Sequence, residues 1–219
     1  MIIMNTAQYD TPQHAWAALM DGNQRFVDAQ LQHPNLDESR RRILTEEGQA
    51  PHAAVLACSD SRVPVEIVFD QGLGDMFVVR NAGHLSGLSI LASIEFAVDA
   101  LQVPLIVVMG HQYCGAIAAT DRALTEGQIP SGFQNLLVEK VAISVLKAKA
   151  DGHTTREAYE RYHVAESVGQ LVSRSMVVRD AVRDGRLGVV GTHYDLKTGR
   201  VEPVLSYGVA IDGVDCREL

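Results

Sequence analysis

Five side chains in two short stretches hold the reactive chemistry of this 219-residue chain. In "VLACSDSRVPVE" (55–66) an apolar run ends by setting a thiol, a carboxylate and a guanidinium on alternate positions, Cys58, Asp60 and Arg62. In "MGHQYCGA" (109–116), Cys114 follows His111 by three residues. Two soft thiolates with one imidazole suit Zn2+, and three protein ligands leave the fourth tetrahedral vertex for water, the mark of a catalytic rather than a structural site. The H-x-x-C spacing lets two ligands bend round one ion. A helix starting at Cys114 would lower the pKa of that thiol, and Gly115 beside it keeps the approach open. Taken singly, each Cys or His is an ordinary buried residue; taken together they make a ligand set. Asp60 can then reach the metal's fourth position or a water bound there, and Arg62 can hold that carboxylate by a charge-assisted pair.

Such residues must be brought together by the elements that carry them. Three short runs rich in Val and Ile, at 53–58, 76–82 and 104–111, are bounded by turn residues and read as buried strands. Between the second and third, Leu88, Leu91, Ile94, Val98 and Leu101 keep the spacing of a crossover helix. Ligands of an open parallel sheet sit beyond the carboxyl ends of its strands, and Cys58 and His111 fall at two such ends. Upstream, Thr11 and Pro12 read as N-cap and first residue of a helix whose apolar face is Trp16, Leu19, Met20, Asn23, Phe26 and Val27. Downstream, 134–150 reads as a helix ending at Asp151-Gly152. Thr154 and Glu157 then offer a capping box for a long helix running through Tyr159, Tyr162, Val168, Leu171, Val172 and Met176. The stretches 187–196 and 201–209 read as a strand and its hairpin return. The pattern predicts one α/β domain over 1–219, a central mostly parallel sheet flanked by helices, with an N-terminal helical arm at about 11–45 and a C-terminal hairpin and tail at about 187–219.

Composition narrows the function classes. A formal net charge of -8 argues against phosphate backbones and anionic lipid as partners, so neither nucleic acid nor membrane is expected. Arg40, Arg41 and Arg42, the one basic run, read as a solvated stretch. The start, "MIIMNTAQYD", lacks a basic n-region, so no secretory leader is expected, and "VPLIVVM" (103–109) is far shorter than the ~20 residues of a membrane span. Three cysteines without an export signal suit a reducing, cytoplasmic setting. Gly72 and Gly74 read as a turn rather than a phosphate loop, Cys216 as an unpaired thiol, and His84 as a structural histidine rather than a proton relay. His52, His153, His163 and His193 show nothing distinctive.

C-x-D-x-R as "CSDSR", followed by H-x-x-C as "HQYC", resembles the zinc site of the β-class carbonic anhydrases. "ALMDGNQRFV" (18–27), "VPVEIVFDQGLGDMFVVRNAG" (63–83), "ASIEFAVDAL" (92–101) and "VPLIVVMGHQYCGAIAA" (103–119) are similar to family segments too, so the resemblance covers roughly 12–210. It implies reversible hydration of CO2 to bicarbonate and a proton by attack of zinc-bound hydroxide, with one Zn2+ per chain held by Cys58, His111 and Cys114. Asp60 would accept a hydrogen bond from that hydroxide and Arg62 would fix Asp60; in a closed state known in the family, Asp60 would itself become the fourth ligand. Val55 stands where bicarbonate-regulated members carry Trp, so the resemblance is to the plant-type subclass. By the same resemblance Gln49 is a hydrogen-bond donor to the substrate pocket and Phe77 its apolar wall, while Phe96 replaces a tyrosine. The family forms homodimers, and often tetramers, in which the N-terminal helix embraces its neighbour; Trp16, Leu19, Met20 and Phe26 would supply that face. COS or CS2, linear relatives of CO2, are the alternative substrates for the same site. An idle zinc protein would need neither Asp60 nor Arg62.

Overall fold

The computed structural model describes residues 9–219, so the expectation for the first eight positions lies outside the described residues. Along the chain come α1 (Pro12–Val27), α2 (Glu38–Glu47), β1 (Ala53–Cys58), α3 (Val65–Val68), β2 (Met76–Asn81), α4 (Leu88–Asp99), β3 (Leu105–His111), α5 (Gly115–Glu126), α6 (Asn135–Ala150), α7 (Arg156–Arg174), α8 (Met176–Arg183), β4 (Gly188–Tyr194), β5 (Val201–Tyr207) and β6 (Asp215–Arg217). The strands form one sheet in the order β2-β1-β3-β4-β5-β6. Pairs β1–β2, β1–β3 and β3–β4 are parallel, β4–β5 is an antiparallel hairpin, and β6 returns parallel to β5. Every residue of β1, β3 and β4 is buried, as strands covered on both faces require, which explains the apolar runs of β1 and of β3 up to His111. Among the described residues no helix is long and apolar enough to cross a membrane.

Alternation along the strands divides the core. Ala54 and Leu56 of β1 and Ile106 and Val108 of β3 face α4, α7 and α8, where Ile94, Val98, Leu171 and Val178 cover them. Val55, Ala57, Val107 and Met109 face the other way, toward Trp16 and Leu19 of α1 and Val65, Val68 and Phe69 around α3. The expectation that α1 turns its apolar face to a dimer partner is therefore corrected: Ala15, Trp16 and Leu19 are buried in the chain's own core, and Met20 and Phe26 pack against it. The physical reason is coverage, because α3 is a four-residue helix, too short to shield that face alone. The buried Asn23 locks the docking. Its Nδ2 donates to the Val68 and Gly199 carbonyls at 3.1 and 2.9 Å, and its Oδ1 accepts from the Val201 amide at 2.9 Å.

Three local expectations also change. Thr155, not Thr154, caps α7, its hydroxyl accepting from the Ala158 amide at 3.2 Å, so Glu157 completes no capping box. The long helix ends at Ser175, whose hydroxyl accepts from the Val178 amide at 3.1 Å and starts α8, which places Met176 on a separate helix. The tail at 215–217 adds β6 to the sheet edge.

Asn23→Ala leaves two buried carbonyls and one amide without partners and should lower unfolding free energy by about 2–3 kcal/mol. Urea denaturation measures it; a loss below about 0.5 kcal/mol, the size of an ordinary surface change, would mean that α1 is not held this way.

Candidate metal centre

The parallel register of β1 and β3 pairs Ala57 with Met109, so the two strands end side by side with Cys58 last on one and His111 last on the other. The chain then turns through Tyr113, at φ 60°, and brings Cys114 back as the N-cap of α5. The donor atoms of Cys58, His111 and Cys114 all lie within 4.8 Å of one another, and all three residues are buried. Tetrahedral ligation at usual zinc–sulfur and zinc–nitrogen lengths sets donors about 3.5–3.8 Å apart, so side-chain adjustment alone would seat an ion. The imidazole is already oriented for it. His111 Nδ1 donates to the Gln112 carbonyl at 2.9 Å, leaving Nε2 with its lone pair, buried and without a hydrogen-bond partner. The neighbouring Cys114 thiol lowers the Cys58 thiol to about 4, while Cys58 and burial push Cys114 well above the usual thiol range. A cation between them would displace the Cys114 proton and let both sulfurs ionise. The residues fit Zn2+.

Beside this triangle sits Asp60. Its Oδ1 accepts from the Arg62 amide at 3.0 Å and from Arg62 Nε at 2.9 Å, its Oδ2 accepts from Nη2 at 2.7 Å, and Oδ2 lies 3.9 Å from His111 Nε2. The Arg62 guanidinium thus holds the Asp60 carboxyl far below the usual carboxylate range, ionised throughout the neutral region. Arg80 fixes the loop from behind, donating to the carbonyls of Cys58 at 3.0 Å and Asp60 at 2.8 Å. Gly115 is exposed, and a Cβ there would meet nothing within 4 Å, so the approach beside Cys114 is open.

Two buried chains of hydrogen bonds back the sulfurs. The Gly83 amide donates to Cys58 Sγ at 3.4 Å, while the Gly83 carbonyl accepts from His163 Nε2 and His163 Nδ1 accepts from the Ser144 hydroxyl, both at 2.9 Å. Burial keeps His163 neutral, as this pattern needs. Gly83 is required, since its φ is 74° and an added Cβ would lie 2.9 Å from that of Ala116. On the other side the Cys114 amide donates to Glu160 Oε1 at 3.2 Å, and His193 Nε2 donates to Oε2 at 3.1 Å. Sequence reading passed over His163 and His193 and never weighed Glu160. The available signal was a Glu and a His three apart within the apolar stripe of α7.

Gln49 and Phe77 do not meet the centre within one chain. Gln49 precedes β1 and lines a cavity of about 800 Å3 with His52, Leu101 and Arg186, at the opposite end of the strand from Cys58. Phe77 pairs with Ala54 near the start of β2, its ring 6.1 Å from that of the half-exposed Phe96. Both sit at amino ends of strands, whereas the centre lies at carboxyl ends. His84 is fully buried, without a hydrogen-bond partner at either ring nitrogen, and burial holds it well below the usual imidazole range, so it has no route to solvent. Cys216 is a free, exposed thiol.

Residues 53–201 match the family model described as carbonic anhydrase. The chain is 51% identical over 191 residues to a carbonic anhydrase of Mycolicibacterium smegmatis, covering 87% of this chain and 92% of the relative. It is 47% identical over 189 residues to carbonic anhydrase 2 of Mycobacterium tuberculosis, covering 86% and 91%. Among solved structures, a Coccomyxa β-carbonic anhydrase in complex with acetazolamide superimposes with a TM-score of 0.67 at 28% identity, covering 85% of each chain.

Purified protein should carry about one zinc per chain, and Cys58→Ser or Cys114→Ser less than about a tenth of that, by inductively coupled plasma mass spectrometry. Full metal content in both variants would mean that the ion lies elsewhere.

Proposed function

Because this chain belongs to the β-class carbonic anhydrase family, we propose that it catalyses the reversible hydration of CO2 to bicarbonate and a proton at a Zn2+ held by Cys58, His111 and Cys114. The single observation that carries the reading is a buried donor triangle with a free imidazole nitrogen, set beside a carboxylate clamped by a guanidinium. When bound, the zinc supplies Lewis acidity that makes a coordinated water nucleophilic near neutral pH.

The rest is the work of the chain. Arg62 occupies three of the acceptor positions of Asp60 through Nε, Nη2 and its amide, and so directs what remains of Oδ2 toward the His111 side. As an ionised acceptor without a proton of its own, Asp60 takes a hydrogen bond from the attacking oxygen and turns its lone pair toward CO2. The same low pKa bars Asp60 from retaining a proton at neutral pH. It is thus an orienting group, and the proton of the reaction leaves to solvent or buffer. Asp60 is bound to Arg62 rather than turned onto the donors, and a closed arrangement with Asp60 as fourth ligand would require breaking this bidentate pair.

In this reading the protein works as a homo-oligomer. Gln49 and Phe77, remote from their own centre, would serve as donor and apolar wall in the pocket of a second copy. A reducing, cytoplasmic setting fits the three free cysteines. The relatives named above are carbonic anhydrases, and COS or CS2 as substrate is not favoured.

Stopped-flow hydration of CO2 with a pH indicator tests the proposal. Asp60→Asn should reduce kcat/KM at least about 100-fold and Arg62→Ala at least about 10-fold, both with zinc retained. Zinc-loaded wild type that hydrates CO2 no faster than buffer, or an Asp60→Asn variant of wild-type efficiency, would overturn it.

A further inference from the structure

Helix α7 presents to the sheet a buried stripe of Tyr159, Glu160, His163, Val164, Ser167, Val168, Leu171 and Val172. Most of these are apolar or small, yet two bear strong hydrogen-bonding groups, and both are aimed at the metal centre. Burying a carboxylate for stability alone is a poor use of the position, since a well-packed apolar side chain of similar volume usually does as well or better. Glu160 is 2% exposed and both of its oxygens are engaged, Oε1 by the Cys114 amide and Oε2 by His193 Nε2. His193 is itself 2% exposed on β4, opposite Gly110, the residue before His111.

The backbone is shaped to let α7 come this close. A Cβ at Gly110 would lie 2.5 Å from Val164 Cγ2, so only glycine at that strand position lets the helix settle onto the ends of β3 and β4. One turn of the helix thereby reaches both sulfurs. Glu160 holds the backbone amide of Cys114, and His163 holds the carbonyl of Gly83, whose amide points at Cys58 Sγ.

We infer that Glu160, braced by His193, is a positioning residue of the metal centre: through the Cys114 amide it sets the direction from which the Cys114 sulfur meets the ion, as His163 does for Cys58 through Gly83. This deepens the reading of the centre given above and rests on a metal being bound there. Cys114 needs such a hold because it has no strand to fix it. It comes after a turn with a left-handed residue, and its side chain makes no capping bond to α5. Groups that orient a ligand typically govern metal retention by about 10–100-fold, without touching the metal.

The zinc-loaded protein is challenged with a chromophoric chelator, and the cobalt-substituted protein is read by its sulfur-to-cobalt charge-transfer absorption. Glu160→Gln keeps an acceptor for the Cys114 amide and should release zinc within about threefold of the wild-type rate. Glu160→Leu removes the acceptor at similar volume; it should release zinc at least about tenfold faster and alter the charge-transfer band. Ser167→Ala, further along the same buried stripe, should change neither. Should Glu160→Leu not fold, His193→Ala carries the test in the same direction, with Glu160 left unbraced. Wild-type release rates and an unchanged cobalt spectrum in a folded Glu160→Leu or His193→Ala protein would overturn the inference. Loss comparable in Ser167→Ala would also overturn it, by reducing the effect to general loosening of α7. Wild type that binds no metal would instead sink the metal reading itself, so the two failures are distinct.

Discussion

Two sulfurs buried within 4.8 Å of each other resist becoming thiolates together unless a cation lies between them. At that separation, with an effective dielectric near 20, two unit negative charges repel by at least about 3 kcal/mol before any cost of burial. The two thiols are accordingly pushed apart, Cys58 below and Cys114 above the usual thiol range. The surroundings favour the charged form. Gly83 gives its amide to Cys58, and His111 keeps its free nitrogen toward the gap. A divalent ion would resolve the conflict that these groups set up, and the proposed catalysis would use the vertex left over.

The fold can be understood as the means of holding that conflict in place. Parallel pairing of β1 and β3 makes two ligands neighbours although they are far apart in the chain. Burial of both strands on both faces fixes their ends against movement, and the core on either side is supplied by α1 with α3 and by α4 with α7 and α8. Parallel order also explains why the reactive groups gather at the carboxyl ends of the strands while Gln49 and Phe77 lie toward the amino ends. Under the proposed function, association of copies would bring the Gln49 and Phe77 end of one chain to the donor triangle of another.

The centre was unusually legible because its signals are local. Apolar strands that end in Cys58 and His111, and an H-x-x-C turn into a helix, can be read from adjacent positions. So can the Asp60–Arg62 pair, whose partners are two residues apart and meet as the spacing suggests. The contacts that escaped notice are remote ones. Glu160 lies 46 residues from Cys114 and 33 from His193, and no pattern along the chain announces that they will touch. The docking of α1 failed for a related reason: amphipathic spacing shows that a face will be covered, not what covers it. The break at Ser175 was hidden because the serine stands within continuous helical spacing and reveals itself only by capping α8. The edge strand at 215–217 is too short and polar to carry a strand signal.

Zinc K-edge X-ray absorption on the purified protein tests the central claim most directly. The account predicts two sulfur scatterers at about 2.3 Å, one imidazole nitrogen at about 2.0–2.1 Å and one further light oxygen or nitrogen atom. A shell with four sulfurs, a shell without sulfur, or protein free of zinc would contradict it.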